Sequence, residues 1–234
     1  DTVGRIESSG VRSVAISLLH SYANPDHENR IADAVKARLP GVTLSVSSEL
    51  LPEMREYERT STTVINAYVR PVVAEYLSSL SGELRSRGIQ VPLTVMQSNG
   101  GLAPVESAIE KPIYCIESGP AAGVVGAYHL GKRLGIDNAL TFDMGGTTAK
   151  ASMIEDGEML LASEYEVGGG MSAGHRLLKG GGYILRVPSI DLAEVSSGGG
   201  SIAWVDKGGS LQCGPQSAGA VPGPVCYGRG GTDP

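Results

Sequence analysis

Several features that would assign this 234-residue chain to a special class are missing. Its apolar runs are short, because Ser, Gly or charged residues interrupt them, and none approaches the about 20 residues that cross a bilayer. Lys and Arg form no cluster, and the formal net charge is -6, which argues against binding to a nucleic-acid backbone. These absences predict a soluble chain that binds neither membranes nor nucleic acids.

Cysteine is scarce as well. Cys115, Cys213 and Cys226 are odd in number, widely spaced and without CxxC spacing, which argues against a disulfide framework and a structural metal site. The first residues contain neither an initiator Met nor the charged-then-apolar pattern of a signal peptide. We therefore expect a cytoplasmic protein, and we expect the chain to be a piece of a longer polypeptide.

Glycine is rare in the first part of the chain and abundant in the second. Residues 1–99 hold five glycines, whereas residues 100–234 hold twenty-eight. Such a rise without low-complexity sequence is typical of strands, tight turns and loops where the backbone approaches another group closely. We therefore expect a binding site in the second part of the chain.

Strand and helix patterns alternate from Val11 to Gly100, which indicates a sheet with crossover connections. The run VRSVAISLL is typical of a strand covered on both faces. The segment NPDHENRIADAVKARLPG predicts a helix with Ile31, Val35 and Leu39 toward the core, and VTLSVSS predicts the next strand.

A long helical pattern runs from about Glu53 to Arg87, and Pro71 is expected to kink or divide it. A spacing of four predicts its buried face: Val64, Tyr68, Val72, Tyr76, Leu80 and Leu84. Tyr57 is assigned to the core with the other tyrosines. The charged residues at its start are expected to form exposed pairs without a chemical role: Glu53, Arg55, Glu56, Glu58 and Arg59.

The second part opens with a predicted helix from Ser118, which has Gly131 and Gly135 near its C-terminal end. This helix leads into ALTFDMGG, an apolar strand that we expect to be buried. The segment ASMIEDGEMLLASEY then predicts two strands joined by a hairpin turn at Asp156 and Gly157.

The segment LTFDMGGTTAKASMI carries the strongest functional signal. An apolar strand delivers Asp143 to its end, Gly145 and Gly146 turn the chain, and Thr147 and Thr148 add hydroxyl groups. Such a bend can direct successive backbone N–H groups at a phosphate while the carboxylate holds a hydrated Mg²⁺. A P-loop is excluded, because the sequence lacks the GxxxxGK pattern followed by Ser or Thr. The alternative is an ordinary β-hairpin with a surface Asp.

Two further elements favour an anion. A glycine-rich segment allows the backbone to lie flat against a nucleotide, or else forms a flexible loop; its contact residues are Gly198, Gly199, Gly200 and Ser201. The helix start at Ser118 and Gly119 offers free N–H groups and the positive end of a helix dipole, although most such starts bind nothing. The three elements together favour ATP as the ligand.

Six segments together resemble the hydantoinase A/oxoprolinase family: ELLPEMREYERTSTTVINAYVRP, MQSNGGL, ESGPAAGVVGA, DMGGTTAKASMI, VPSIDLAEVSSGGGSIAWVD and GPQSAGAVPGPVCYGRGGTDP. The resemblance runs from about Val11 to Pro234. It implies the actin-like, ribonuclease H-like ATPase fold, in which two domains close on ATP. By this likeness 143–148 match the second phosphate hairpin, and 196–201 match the Gly-rich nucleotide loop.

The resemblance also implies a chemistry. The family includes ATP-dependent N-methylhydantoinases, 5-oxoprolinases and the acetone and acetophenone carboxylase subunits. ATP would phosphorylate the carbonyl oxygen of a cyclic amide so that water can attack it, with Asp143 and Thr147 as catalytic residues and Asp143 as the Mg²⁺ ligand. The implied phosphate and nucleotide contacts are Gly145, Gly146, Thr147, Thr148, Ser118, Gly119, Gly198, Gly199, Gly200 and Ser201.

We accordingly predict a partial actin-like ATPase of class α/β with two subdomains. Residues 1–115 form the C-terminal part of a first domain with long helices, and residues 116–234 form a truncated, Gly-rich domain that faces the nucleotide. The predicted enzyme is an ATP-dependent cyclic-amide hydrolase with a hydantoinase B-like partner subunit. The alternatives are an ATP-dependent carboxylase subunit and a non-catalytic scaffold fragment that pairs with such a partner.

Some residues depart from the family pattern or carry weaker signals. The first phosphate hairpin, D-x-G-G-T-F-T-D, is absent, and Lys150 stands where many relatives have an acid after the second one. His20, together with His27, follows a strand and offers a contact to substrate or an ion, as an alternative to a loop histidine bonded to backbone. His175 lies in a Gly-rich stretch that forms either a mobile substrate loop or a merely flexible segment. Asp191 is either a turn residue or a residue that helps to bind a metal or the ribose.

Overall fold

The computed structural model of the protein describes residues 2–167, 182–195 and 197–232. The chain forms two compact units. The first unit holds the residues up to Gly119 together with Ala162–Val167 and Tyr183–Ser189. The second unit holds Pro120–Leu161 and the described residues from Ile190 onward.

The elements combine α and β structure throughout the chain. The helices are α1 (Thr2–Ser9), α2 (Asp26–Arg38), α3 (Ser47–Leu50), α4 (Glu56–Ser86), α5 (Val105–Glu110) and α6 (Ser118–Leu134), with 3₁₀ turns at Pro112–Cys115 and Val225–Tyr227. The first strands are β1 (Ser13–Ile16), β2 (Thr43–Val46), β3 (Thr94–Met96), β4 (Leu102–Pro104), β5 (Ala139–Met144), β6 (Ala149–Glu155) and β7 (Glu158–Met159). The later strands are β8 (Leu161–Ala162), β9 (Tyr165–Val167), β10 (Tyr183–Leu185), β11 (Ser189–Ile190), β12 (Ala193–Val195), β13 (Ser201–Val205) and β14 (Leu211–Ser217).

The first unit is built on a parallel strand pair with a helix on each face. β1 pairs in parallel with β2 across the crossover helix α2, as the alternating patterns predict. Leu44 and Val46 pack with Val35 of α2, whereas Ser45, on the opposite face, accepts a hydrogen bond from Asn66 of α4. Both faces are therefore covered. The prediction for Ile31 is wrong, because this side chain is 39% exposed.

Helix α4 runs unbroken through Pro71, so a division at this residue is wrong, whereas a kink there stays a prediction. The predicted buried face is wrong for Val64, Tyr68, Val72 and Tyr76, which are 48–80% exposed, and the core assignment of Tyr57 is wrong because it is 60% exposed. Leu80 and Leu84 are half-buried. The buried residues of α4 are mainly polar: Arg59, Ser61, Thr62, Thr63, Asn66, Ala67 and Leu77. An apolar periodicity could not find the polar part of this face, because hydrogen bonds attach that part to its neighbours, as between Asn66 and Ser45. Leu77, farther along the helix, packs with Val105 and Ala108.

The second unit contains a four-stranded antiparallel sheet in the order β12-β6-β5, and β7 also pairs with β6. Helix α6 packs on it through Ala121 and Val124, which form an apolar cluster with Ile190 and Leu192. The hairpin between β6 and β7 has the predicted two-residue turn, in which Asp156 and Gly157 have φ of 50° and 73°. Both values lie in the left-handed region that this tight hairpin turn requires.

Strand β5 is exposed on one side, which contradicts the expectation of a buried strand. Leu140, Phe142 and Met144 are 71%, 64% and 54% exposed. They alternate along the strand and therefore share one face of the sheet. The helices in the described parts of the chain include none with the length and apolar character that a membrane crossing requires.

Candidate functional site

The bend between β5 and β6 is a tight four-residue loop. The two strands pair in register as far as Met144 and Ala149. The N–H of Gly145 then donates to the carbonyl oxygen of Thr148 at 3.0 Å and closes the loop. The loop is accessible, since Gly145 and Thr147 are exposed and Gly146 is half-buried. It is thus not packed into the core.

The bend presents a row of unused hydrogen-bond donors. Within residues 2–167, 182–195 and 197–232, the N–H groups of Gly146, Thr147 and Thr148 have no acceptor, and neither threonine hydroxyl has a partner. Successive N–H groups on a turn form a concave anion site, because their partial positive charges point the same way. The donor set therefore fits the terminal phosphates of a nucleotide.

Asp143 is the penultimate residue of β5, three residues before Gly146. Its carboxylate is exposed and has no hydrogen-bond or ion-pair partner in the part of the chain that the structure describes. It borders a cavity of about 400 Å³ that is also lined by Pro120 and Gly123 of α6 and by Lys150. Mg²⁺ binds through one or two carboxylates, waters and substrate phosphates. A single available carboxylate near a row of N–H donors fits that need.

The triple glycine lies directly against the bend. Gly199 N–H donates to the Gly145 carbonyl at 2.9 Å, and Gly200 N–H donates to the Gly146 carbonyl at 2.8 Å. A Cβ atom on Gly198 would lie 2.6 Å from the Gly145 oxygen and 2.7 Å from Thr147 backbone atoms. Only glycine permits such contact between two backbones.

The segment of Gly198, Gly199, Gly200 and Ser201 acts as a clamp on the bend. Its first N–H, on Gly198, donates to the hydroxyl of Ser201 at 2.9 Å, and the N–H of Ser201 donates to the Gly198 carbonyl. Its amides are thus engaged inside the protein. The sequence predicts that these glycines lie flat against a nucleotide, whereas the structure brings their backbone against the bend between β5 and β6.

The other predicted positions fall elsewhere. Ser118 and Gly119 begin α6 and belong to the first unit, so their contact with a nucleotide stays a prediction. Asp191 follows β11, and its N–H donates to the Leu160 carbonyl. Ser196 and His175 lie outside the described residues. The described residues contain no group of three or more His, Cys, Asp or Glu side chains that could hold a metal.

A polar cluster in the first unit was missed by the sequence reasoning. Arg59, which was expected to be exposed, and Glu28 of α2 are both 0% exposed, with 4.0 Å between Nη1 of Arg59 and Oε1 of Glu28. Arg59 also donates to the Leu18 carbonyl at 2.7 Å, and to Ser21 and Glu56. The recurrence of polar residues at 59, 62, 63 and 66 is the signal that could have indicated it.

Glu28 holds the loop that follows β1. It accepts hydrogen bonds from the N–H of Leu18 at 2.7 Å and of Ser48 at 2.9 Å, and from the hydroxyl of Ser47 at 2.7 Å. Burial alone raises the pKa of Glu28, but these hydrogen bonds outweigh it and lower the pKa below its ordinary value. The carboxylate therefore stays ionised and acts as a structural anchor.

His20 lies in this anchored loop. Its φ of 58° is left-handed, and its N–H donates to Oε1 of Glu56 at 2.9 Å. The hydrogen bond joins the backbone N–H of His20 to a carboxylate, so a bond from its imidazole to the backbone, like a contact with substrate or an ion, stays a prediction. The loop geometry is set by the Arg59 and Glu28 network, because Glu56 bonds both Arg59 and His20.

Comparisons with known proteins bear on the whole chain. A family model described as Hydantoinase/oxoprolinase matches residues 59–234, and one described as Hydantoinase/oxoprolinase N-terminal region matches residues 1–39. The caprolactamase subunit alpha of Pseudomonas jessenii is 41% identical over 96% of this chain and 30% of its own length. The 5-oxoprolinase of Saccharomyces cerevisiae is 35% identical over 96% of this chain and 16% of its own length.

Two solved structures share the fold. The crystal structure of the ATP-dependent caprolactamase from Pseudomonas jessenii has a TM-score of 0.74 and 40% identity, over 99% of this chain and 32% of that one. A nucleotide-free acetone carboxylase, from work on ATP-dependent acetone carboxylation, has a TM-score of 0.74 and 28% identity, over 94% of this chain and 29% of that one. The chain thus spans a third or less of these relatives.

Proposed function

Because the chain belongs to the hydantoinase/oxoprolinase family, we propose that it is the nucleotide-facing part of an ATP-dependent enzyme that hydrolyses a cyclic amide of the hydantoin or 5-oxoproline type. The observation that carries the proposal is the bend between β5 and β6, whose N–H groups at Gly146, Thr147 and Thr148 are unused within the described residues. The actin-like ATPase fold, in partial form, is part of the same proposal.

The residues of the bend divide the work. Bound ATP with Mg²⁺ supplies a phosphoryl group for the carbonyl oxygen of the substrate, which makes a resonance-stabilised amide reactive toward water. The N–H groups of Gly146, Thr147 and Thr148 bind the phosphate oxygens, and the Thr147 hydroxyl donates to the group in transfer. Asp143 holds the cation, since carboxylate oxygen is a ligand that Mg²⁺ prefers.

The glycine clamp, Gly198–Ser201, supports the same bend through its backbone. By bonding the carbonyl groups of Gly145 and Gly146, it fixes the peptide planes whose N–H groups face outward. A fixed array of donors needs no reorganisation when charge develops on the phosphoryl group, and this is what makes it effective. We propose that Gly198–Ser201 contributes to nucleotide binding mainly through this positioning.

A carboxylase subunit is the second candidate function. It is favoured by the TM-score of 0.74 with acetone carboxylase and by the 30% identity with the acetophenone carboxylase gamma subunit of Aromatoleum aromaticum. Phosphoryl transfer would then activate a ketone or bicarbonate in place of an amide. Several relatives are named as subunits, and we propose a hydantoinase B-like partner for this protein too.

The test compares substrates on the whole protein with its partner subunit. ATP hydrolysis is measured with hydantoin, 5-oxoproline and caprolactam in one series, and with acetone or acetophenone plus bicarbonate in another. We expect a cyclic amide to stimulate ATP hydrolysis and to yield its ring-opened acid. If only a ketone with bicarbonate stimulates ATP hydrolysis, the protein is a carboxylase subunit and the hydrolase proposal is wrong. A protein without any ATP-dependent rise in melting temperature would be the scaffold.

A further inference from the structure

A row of three charged side chains crosses the sheet beside the bend. Asp143 of β5 lies directly opposite Lys150 of β6, and Lys150 lies directly opposite Glu194 of β12. Residues that face each other across antiparallel strands share one side of the sheet, with Cβ atoms about 5 Å apart. The Lys150 ammonium can therefore reach either carboxylate.

In the structure Lys150 forms an ion pair with Glu194. Its Nζ atom lies 3.6 Å from Oε2 of Glu194, and the two side chains are 14% and 21% exposed. No ion pair joins Lys150 to Asp143 in the described portion of the chain. Two unit charges this close in a partly buried site attract each other strongly, since little water screens them. The ion pair with Glu194 thus holds the Lys150 ammonium toward β12 and away from Asp143 on β5.

We propose that Glu194 is a positioning residue that keeps Lys150 away from Asp143 and so leaves Asp143 available to the divalent cation of the nucleotide. The inference rests on the proposed function, because it takes Asp143 as the metal ligand. An ammonium group on Asp143 would neutralise the carboxylate and repel Mg²⁺. The pair of Lys150 with Glu194 thus offsets the positive charge that stands directly opposite Asp143.

The test measures how much a metal strengthens nucleotide binding. Calorimetry on this chain gives the Kd of a non-hydrolysable ATP analogue with Mn²⁺ and again with EDTA, and the ratio is the metal-dependent gain. Glu194→Gln releases Lys150 toward Asp143 and should lower the gain about tenfold. Lys150→Met should raise it, because the competing charge is gone. The double variant should recover the gain that Glu194→Gln loses.

The double variant separates positioning from other roles. If Glu194 were itself a metal ligand, or if its loss merely disturbed the sheet, Lys150→Met would not rescue it, and that outcome would overturn the inference. An unchanged gain in Glu194→Gln would overturn it as well. Glu155→Gln, on the same strand as Lys150 but outside the row, is the matched control and should keep the full gain.

The two proposals fail in different ways. If Asp143→Asn keeps the full metal-dependent gain, Asp143 is not the metal ligand, and both the proposed role of Asp143 and this inference are wrong. A gain lost in Asp143→Asn but kept in Glu194→Gln removes the inference alone and leaves the proposed function standing. Melting temperatures of all variants, which should lie within a few degrees of the parent chain, confirm that each one folds.

Discussion

Asp143→Asn in the whole protein should lower substrate-dependent ATP hydrolysis by about a hundredfold or more, which is the typical cost of removing one electrostatic contact to a transition state. The amide has nearly the shape of the carboxylate but lacks its charge, so the fold is kept while the cation loses its protein ligand. The carboxylate has no structural partner in the described residues that the substitution could disturb. The measurement is kcat for ATP hydrolysis at saturating substrate and Mg²⁺.

Asp156→Asn is the matched control for this prediction. Asp156 is an exposed residue at the other end of β6, in a turn with φ of 50°, a conformation that Asn tolerates well. The same chemical change there should leave kcat within about twofold, as expected for a surface substitution. Near-normal turnover by Asp143→Asn would remove this residue from the mechanism.

Gly198→Ala should weaken nucleotide binding by about ten- to a hundredfold, although it adds a single methyl group. The new Cβ atom would lie 2.6 Å from the Gly145 oxygen and 2.7 Å from Thr147 backbone atoms. These neighbours are backbone rather than flexible side chain, so the bend itself must move, at a cost of about 1–3 kcal/mol. The N–H groups of Gly146, Thr147 and Thr148 move with it. Calorimetry with the ATP analogue and Mg²⁺ measures the loss.

The control for this prediction is Gly126→Ala. Gly126 lies within α6, where an added Cβ atom meets nothing within 4 Å, and alanine favours a helix over glycine by about 1 kcal/mol. This variant should bind the nucleotide normally and melt at the same or a higher temperature. If Gly198→Ala bound as tightly as Gly126→Ala, the glycine clamp would have no part in shaping the site.

The bend was predictable from sequence because its determinants are local. An apolar strand, an acid, two glycines and two threonines followed by a second strand specify a turn regardless of what surrounds it, and β5 and β6 pair around that turn as expected. Asp156 and Gly157 were predictable for the same reason. The contact between Gly198 and the bend was not predictable, since it joins segments about fifty residues apart.

Residues that depend on distant partners were misjudged. Arg59 lies among charged residues that suggest a solvated face, yet Leu18, Ser21 and Glu56 supply the acceptors that permit its burial. Likewise Tyr68 looked like core because it is apolar and periodic, but the buried face of α4 is polar. The return of Ala162–Val167 to the first unit has no local sequence signal either.

The central claim is that the bend at 143–148 binds the phosphates of a nucleotide, and backbone amide NMR on this chain tests it most directly. Addition of Mg²⁺ and a non-hydrolysable ATP analogue should shift the N–H signals of Gly146, Thr147 and Thr148 and slow their exchange with solvent. The N–H signals of Gly199 and Gly200, already hydrogen-bonded to the bend, should change less. Saturable binding that leaves the three bend amides unshifted would contradict the account.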